Sequence, residues 1–132
     1  MMNMYVRILS IATIGSVSAA TLFTGPASGA SVDVVSPHNS CWYSSSQWWC
    51  NNVSGAPVYG FAGDDLYPVP SDIVGYMYSN PSWFDERRDD GPYVGGPHPH
   101  RWVFTEADNG KYGWMKDTDI YSETDPLPVH GS

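Results

Sequence analysis

The sequence predicts an all-β protein, a small barrel of short strands, on three observations. Two aromatic and β-branched arms flank Asp108-Asn109-Gly110, and Asn-Gly offers the two positive-φ residues that a tight hairpin turn needs. Further short runs alternate apolar and polar residues between glycine, proline and asparagine turn signals. No helical periodicity and no internal repeat occurs after residue 30.

The chain has 132 residues, room for one domain, and its first thirty read as a segment to be discarded. Arg7 precedes an apolar or small run from Ile8 to Phe23, followed by Gly25-Pro26 and the small residues Ala27 to Ala30. That order is a secretory signal peptide, residues 1–30, with cleavage expected after Ala30 or, nearly as well placed, after Gly29. The run is shorter than the roughly 20 residues a bilayer-spanning helix needs, so the product is expected outside the cell and free of the membrane.

Removing residues 1–30 takes away Arg7 and no acid, leaving 5 basic against 14 acidic side chains, a net charge of −9. Such a charge disfavours phosphate backbones and anionic membrane surfaces and favours solubility. Nucleic acid is therefore not an expected partner. Cys41 and Cys50 are the only cysteines, and an even count in a small exported chain reads as one disulfide, closing a loop around Trp42, Tyr43, Trp48 and Trp49.

In chain order, residues 31–55 form an N-terminal extension holding the disulfide loop, with Val32 to Val35 an edge-strand candidate. Asn51 to Gly55 is turn chemistry, and Asn52-Val53-Ser54 matches the glycosylation acceptor pattern. Ala56 to Phe61 is the first convincing strand, with Val58 as core. Ala62 to Ser71, with Pro68 and Pro70, is expected to be a loop. Asp72 to Ser79 alternates as a central strand, and Asn80-Pro81-Ser82 turns the chain into a strand from Trp83 to Arg87. Arg88 to His100 is too rich in glycine and proline to hold a ladder. In the closing hairpin Trp102 and Phe104 share one face, Val103 and Thr105 the other, and Tyr112 and Trp114 alternate with Gly113 and Met115. Lys116 to Asp119 reads as a short helical turn, Ile120-Tyr121 as a closing strand, and residues 122–132 as an extended tail.

Val58-Tyr59, Ile73-Val74-Gly75-Tyr76, Arg101-Trp102-Val103, Asn109-Gly110-Lys111-Tyr112-Gly113-Trp114-Met115 and Ile120 stand in an order that resembles the bacterial SH3-like domain over residues 56–121. The whole chain also resembles small exported SH3-like proteins of actinobacteria. Met115 stands where the family has Val, and both fill apolar space. The stretch from Arg88 to His100 lengthens a loop near where such folds often bind ligands. The resemblance implies an SH3-like barrel and a peptide or glycopeptide ligand, such as cell-wall peptidoglycan, on an aromatic groove of Tyr59, Trp83 and Trp114.

The aromatic residues are the most informative candidates for binding, because six tryptophans and eight tyrosines after residue 30 exceed what so small a barrel encloses. Exposed rings suit sugars, proline-rich peptides and protein anchors. Trp48, Trp49 and Tyr43, held in the disulfide loop, are the leading surface candidates. His98-Pro99-His100 near Asp85, Glu86, Asp89 and Asp90 falls short of zinc or calcium ligand patterns, so no metal and no cofactor is expected. No Gly-x-Ser-x-Gly elbow occurs, and Glu106 and Asp108 read as solvating the hairpin turn. The expectation is a monomeric, secreted, non-catalytic binding module. The alternative is an inhibitor or effector that engages a hydrolase through the proline-rich loop 91–100, a stiff loop losing little entropy on binding.

Overall fold

A computed structural model describes residues 39–132, and these are all-β apart from one turn of 3-10 helix. The expected signal peptide and the candidate strand at Val32 to Val35 lie outside the described residues. Eight strands follow in order: β1 Trp42–Ser44, β2 Gln47–Cys50, β3 Ala56–Ala62, β4 Tyr67–Met77, β5 Ser82–Phe84, β6 Glu86–Arg88, β7 Trp102–Glu106 and β8 Tyr112–Lys116. They make two sheets, β1-β2-β5 and β4-β3-β8-β7-β6, with every ladder antiparallel. The short helical turn expected near residue 117 is Asp117–Asp119.

The disulfide is present between Cys41 and Cys50, whose Cα atoms are 4.5 Å apart. What it closes is a hairpin: Trp42 pairs with Trp49, Tyr43 with Trp48 and Ser44 with Gln47. The turn consists of Ser45 and Ser46, both at positive φ (53° and 66°), the arrangement whose twist matches flanking strands and which usually draws Asn or Gly.

The β7–β8 hairpin forms over the expected residues, but its turn differs. Only Gly110 takes positive φ (87°), and Ala107 N–H bonds to Lys111 O while Gly110 N–H bonds to Ala107 O, a wider loop than a two-residue turn. Asn109 and Asp108 serve instead to dock the turn. Asn109 Nδ2 donates to Val74 O at 2.9 Å. Asp108 accepts from Tyr78 N, Ser79 N and Ser79 Oγ within 3.1 Å. Asp108 is therefore a tertiary clamp rather than a solvating acid.

Alternation along this hairpin feeds two cores. Val103 and Met115 point into an aliphatic cluster with Val58, Met77, Phe84 and Leu127. Trp102 and Trp114 point the other way, with Tyr59, Leu66, Val94 and Phe104. β3 crosses β8 at Gly113, where an added Cβ would lie 2.2 Å from the Tyr59 carbonyl oxygen.

Other expectations are corrected. The stretch from Ala62 to Ser71 is not a loop, because β4 begins at Tyr67 and pairs with the end of β3. Pro68 and Pro70 are tolerated because β4 is an edge strand with β3 alone beside it, and the register slips between its two halves. For the same reason residues 72–77 are not a central strand. The expected strand from Trp83 to Arg87 is divided at Asp85 between the two sheets. Ile120 makes only an isolated bridge to Asn52. The tail is not extended: it turns at Thr124–Leu127, buries Leu127, and bridges Val129 to Arg87. Asn52, in the acceptor pattern for glycosylation, is fully buried, and its Nδ2 donates to the carbonyls of Val53 and Ser79.

Candidate aromatic binding surface

The three-stranded sheet sorts its rings by strand alternation. Antiparallel partners point to the same face, so Trp42, Trp49 and Trp83, linked by the pairs Trp42–Trp49 and Trp49–Trp83, lie side by side across three strands. The opposite face carries Trp48, Cys50 and Phe84, which belong to or pack against the aliphatic core. The Trp42, Trp49 and Trp83 face is thus the outer one, and each of its indoles is half-buried. Trp49 Nε1 donates to Ser44 O at 2.9 Å, which holds that ring's polar edge toward the turn.

The row continues onto the larger sheet. Trp83 meets the exposed Tyr112 with ring centroids 6.3 Å apart, and Tyr112 stacks on Phe104 at 6.1 Å. Phe104 in turn tilts against Phe61 at 5.9 Å. Glu106 is the cross-strand partner of Tyr112, and its charge, followed by partial burial and a hydrogen bond from the phenol, holds the Tyr112 pKa above the usual range, with Asp85 adding to this. An open depression of about 280 Å³ lies alongside, lined by Trp49, Trp83, Met77, Pro81, Glu106 and Asp108.

The residues proposed from sequence fall in three places. Trp49 and Trp83 are neighbours on the outer face. Trp48 lies on the reverse face, edge-on to Tyr43 at 5.3 Å. Tyr59 and Trp114 are 6% and 0% exposed and sit in the inner aromatic core, where Trp114 Nε1 donates to Leu66 O at 2.7 Å. A groove combining Trp83 with Tyr59 and Trp114 is not formed, because Trp114 spends its ring on closing that core. Trp42 and Tyr112 were missed. For Trp42 the signal was in the sequence: Trp42 and Trp49 stand equally far from Ser45-Ser46, as Cys41 and Cys50 do.

The loop 91–100 is fastened rather than free. Gly91 N–H bonds to His100 O, Val94 N–H to Pro99 O, and Trp102 Nε1 to Pro92 O. His98 Nε2 lies 2.9 Å from Glu123 Oε2, while His100 Nδ1 faces Gly91 O, so the two imidazoles serve different partners. His98, Glu123 and Asp125 place three potential ligand atoms within 4.8 Å of one another. The Arg101 guanidinium already supplies positive charge there, 2.9 Å from Asp125 and 3.6 Å from Glu123. Arg101 also bonds to Asp89 and Thr124. Burial opposes its charge, but its bonds to Asp89 and Asp125 outweigh that and hold its pKa above the ordinary value. Below it Asp117 is buried, which pushes its carboxyl upward despite a bond from Thr124. Arg101 thereby ties loop and tail together.

No protein-family model, curated protein or solved structure matches the chain. Among the described residues no helix is long and apolar enough to cross a membrane.

Proposed function

We propose that the protein is a secreted, non-catalytic binding module, resembling bacterial SH3-like domains, for an extended peptide or cell-wall glycopeptide. The observation that carries this reading is the row Trp42, Trp49, Trp83 and Tyr112 on an outer face. Indoles need not stand on a surface to fill a core, and this chain already buries Trp102 and Trp114 for that purpose. Partly exposed rings on paired strands, two of them, Trp42 and Trp49, in a disulfide-locked hairpin, are pre-organised contact area, which costs little ordering on binding. The disulfide also accords with an oxidising compartment outside the cell.

The test is sedimentation of the purified protein with isolated cell-wall sacculi. Enrichment over an unrelated acidic protein of similar size is expected, and recovery equal to that control would refute wall binding. A second reading, an inhibitor acting through residues 91–100, is favoured by Tyr93, which stands 75% exposed on that fastened loop. It expects Tyr93→Ala to abolish inhibition of a target hydrolase while leaving sacculus binding unchanged.

A further inference from the structure

The depression of about 280 Å³ beside the aromatic row has two kinds of wall. Trp49 on β2, Trp83 on β5 and the buried Met77 at the end of β4 are apolar, whereas Glu106 at the end of β7 and Asp108 in the following turn are acidic. Indole and thioether surface is covered well by apolar or cationic groups. Carboxylates bond most strongly to a donor that carries positive charge. None of the ion pairs among the described residues includes Glu106 or Asp108, so neither Lys111 on the adjoining turn nor any arginine neutralises them. The walls are also fixed in advance: Asp108 is held by Tyr78 N, Ser79 N and Ser79 Oγ, Trp49 Nε1 is held by Ser44 O, and Trp49 and Trp83 are ladder partners.

Resting on the binding-module reading, we propose that this depression receives an aliphatic side chain ending in a primary ammonium, as in lysine, carried by an extended peptide. Its stem lies against Trp49, Trp83 and Met77, and its head donates to Glu106 and Asp108. The bonds already made select an ammonium over a guanidinium. Both Asp108 oxygens accept from Tyr78 and Ser79, and Glu106 accepts from the Tyr112 phenol. Neither carboxylate offers two unengaged oxygens to a planar fork, whereas the three diverging donors of an ammonium need only one oxygen from each. A neutral sugar would cover the indoles and leave both carboxylates without a counter-charge, and an acidic segment would meet them with like charge. The surplus of acidic side chains over the whole molecule draws a basic peptide in from a distance.

The test titrates the purified protein with capped extended pentapeptides that differ only at the central residue: lysine, Nε-acetyl-lysine, arginine or glutamate. Indole N–H chemical shifts give both position and affinity. The lysine peptide should bind about 10-fold tighter than its acetylated form and tighter than the arginine and glutamate peptides, with shifts at Trp49 and Trp83 and none at Trp102 or Trp114. Added salt should weaken it. Glu106→Gln should cost about 10-fold, and Trp83→Leu, which stays apolar without an aromatic face, about 5-fold. Asp64→Asn, which removes the same charge from the exposed β3–β4 turn, should change the affinity by less than about twofold. Equal affinity for lysine and acetyl-lysine, tighter binding of arginine, equal losses from Glu106→Gln and Asp64→Asn, or shifts confined to other rings would each overturn the assignment. Enrichment on sacculi with no lysine peptide bound would overturn it and leave the binding-module reading standing. Lysine-peptide binding at Trp49 and Trp83 without enrichment on sacculi would refute wall binding and leave the assignment in place.

Discussion

Arg88 on β6 donates to both the carbonyl oxygen and the carboxylate of Asp65, each at 2.8 Å, and so joins β6 to the β3–β4 turn, elements that share no ladder. Its guanidinium carbon lies 4.9 Å from the Tyr67 ring centroid and 5.7 Å from that of Trp114, with Asp90 completing the cage. Its hydrogen bonds to Asp90 and Asp65 outweigh burial and hold its pKa above the ordinary value.

Replacing Arg88 by Met should destabilise the protein by about 2 kcal/mol, since the Asp65 carbonyl loses its donor while the exposed carboxylates return to water. Arg88→Lys should recover less than half of that, because a single ammonium cannot serve a carbonyl and two carboxylates as a planar fork does. Urea denaturation of the three proteins decides the point, and full rescue by Lys would contradict it.

His130 fixes the tail. Its Nδ1 lies 2.6 Å from Glu86 Oε2 and its Nε2 3.3 Å from Asp65 Oδ1, edge-on to Trp114. The bond to Glu86 is the main reason its pKa is raised, against opposition from partial burial and Arg88. A raised imidazole pKa means stabilisation that is complete below the unfolded value of about 6.5 and lost as pH climbs through the folded one. Tail amides should therefore exchange faster above that window, and His130→Gln should remove the dependence. A ring titrating at or below the ordinary value in an NMR titration would refute this. On the acid side Arg88 lowers the pKa of Asp65 and Asp90. Their contribution is present above the unfolded carboxyl pKa and fades as pH falls through the folded values.

The β1–β2 hairpin combines a disulfide with a reluctant turn. Replacing Ser45 by Asn and Ser46 by Gly should raise stability by about 1 kcal/mol, since neither serine favours its left-handed backbone. Reducing Cys41–Cys50 should cost about 2–3 kcal/mol on the loop-entropy model. Differential scanning calorimetry reads both, and a lower Tm for the Asn-Gly variant would count against the first.

Two glycines should respond unequally to alanine. At Gly113 the new Cβ would strike the Tyr59 carbonyl oxygen and, at 2.9 Å, Val58 Cγ1, and backbone in a crossing sheet cannot retreat. A loss of about 3 kcal/mol or failure to fold is expected. At Gly63 nothing lies within 4 Å and only its φ of 76° resists, so the cost is about 1 kcal/mol. Equal denaturation midpoints for the two variants would show that the β3–β8 crossing is looser than described.

The β7–β8 hairpin and the Ala56 strand were legible because alternation and turn chemistry act within a few residues. The β4 strand was not, since Pro68 and Pro70 read as breakers until β4 is known to lie at an edge. Tail docking was equally hidden: Leu127 is buried and Thr124 meets Arg101 only through contacts about twenty residues or more distant in sequence. For the aromatic surface, residue type pointed to Trp49 and Trp83, but the choice between surface and core for Tyr59 and Trp114 depends on which sheet covers them. Composition carries no such information.

The described chain has five basic side chains, and its three arginines are spent inward on Asp65, Asp89, Asp90 and Asp125. Lys116 leans over the Tyr59 ring, which leaves Lys111 as the cation on the exposed hairpin tip. Seen from a distance the molecule presents an almost unrelieved negative field, damped beyond about 8 Å at physiological ionic strength. Attachment to a polyanionic envelope would consequently strengthen as salt is added, whereas contact with an uncharged polymer would be indifferent to it.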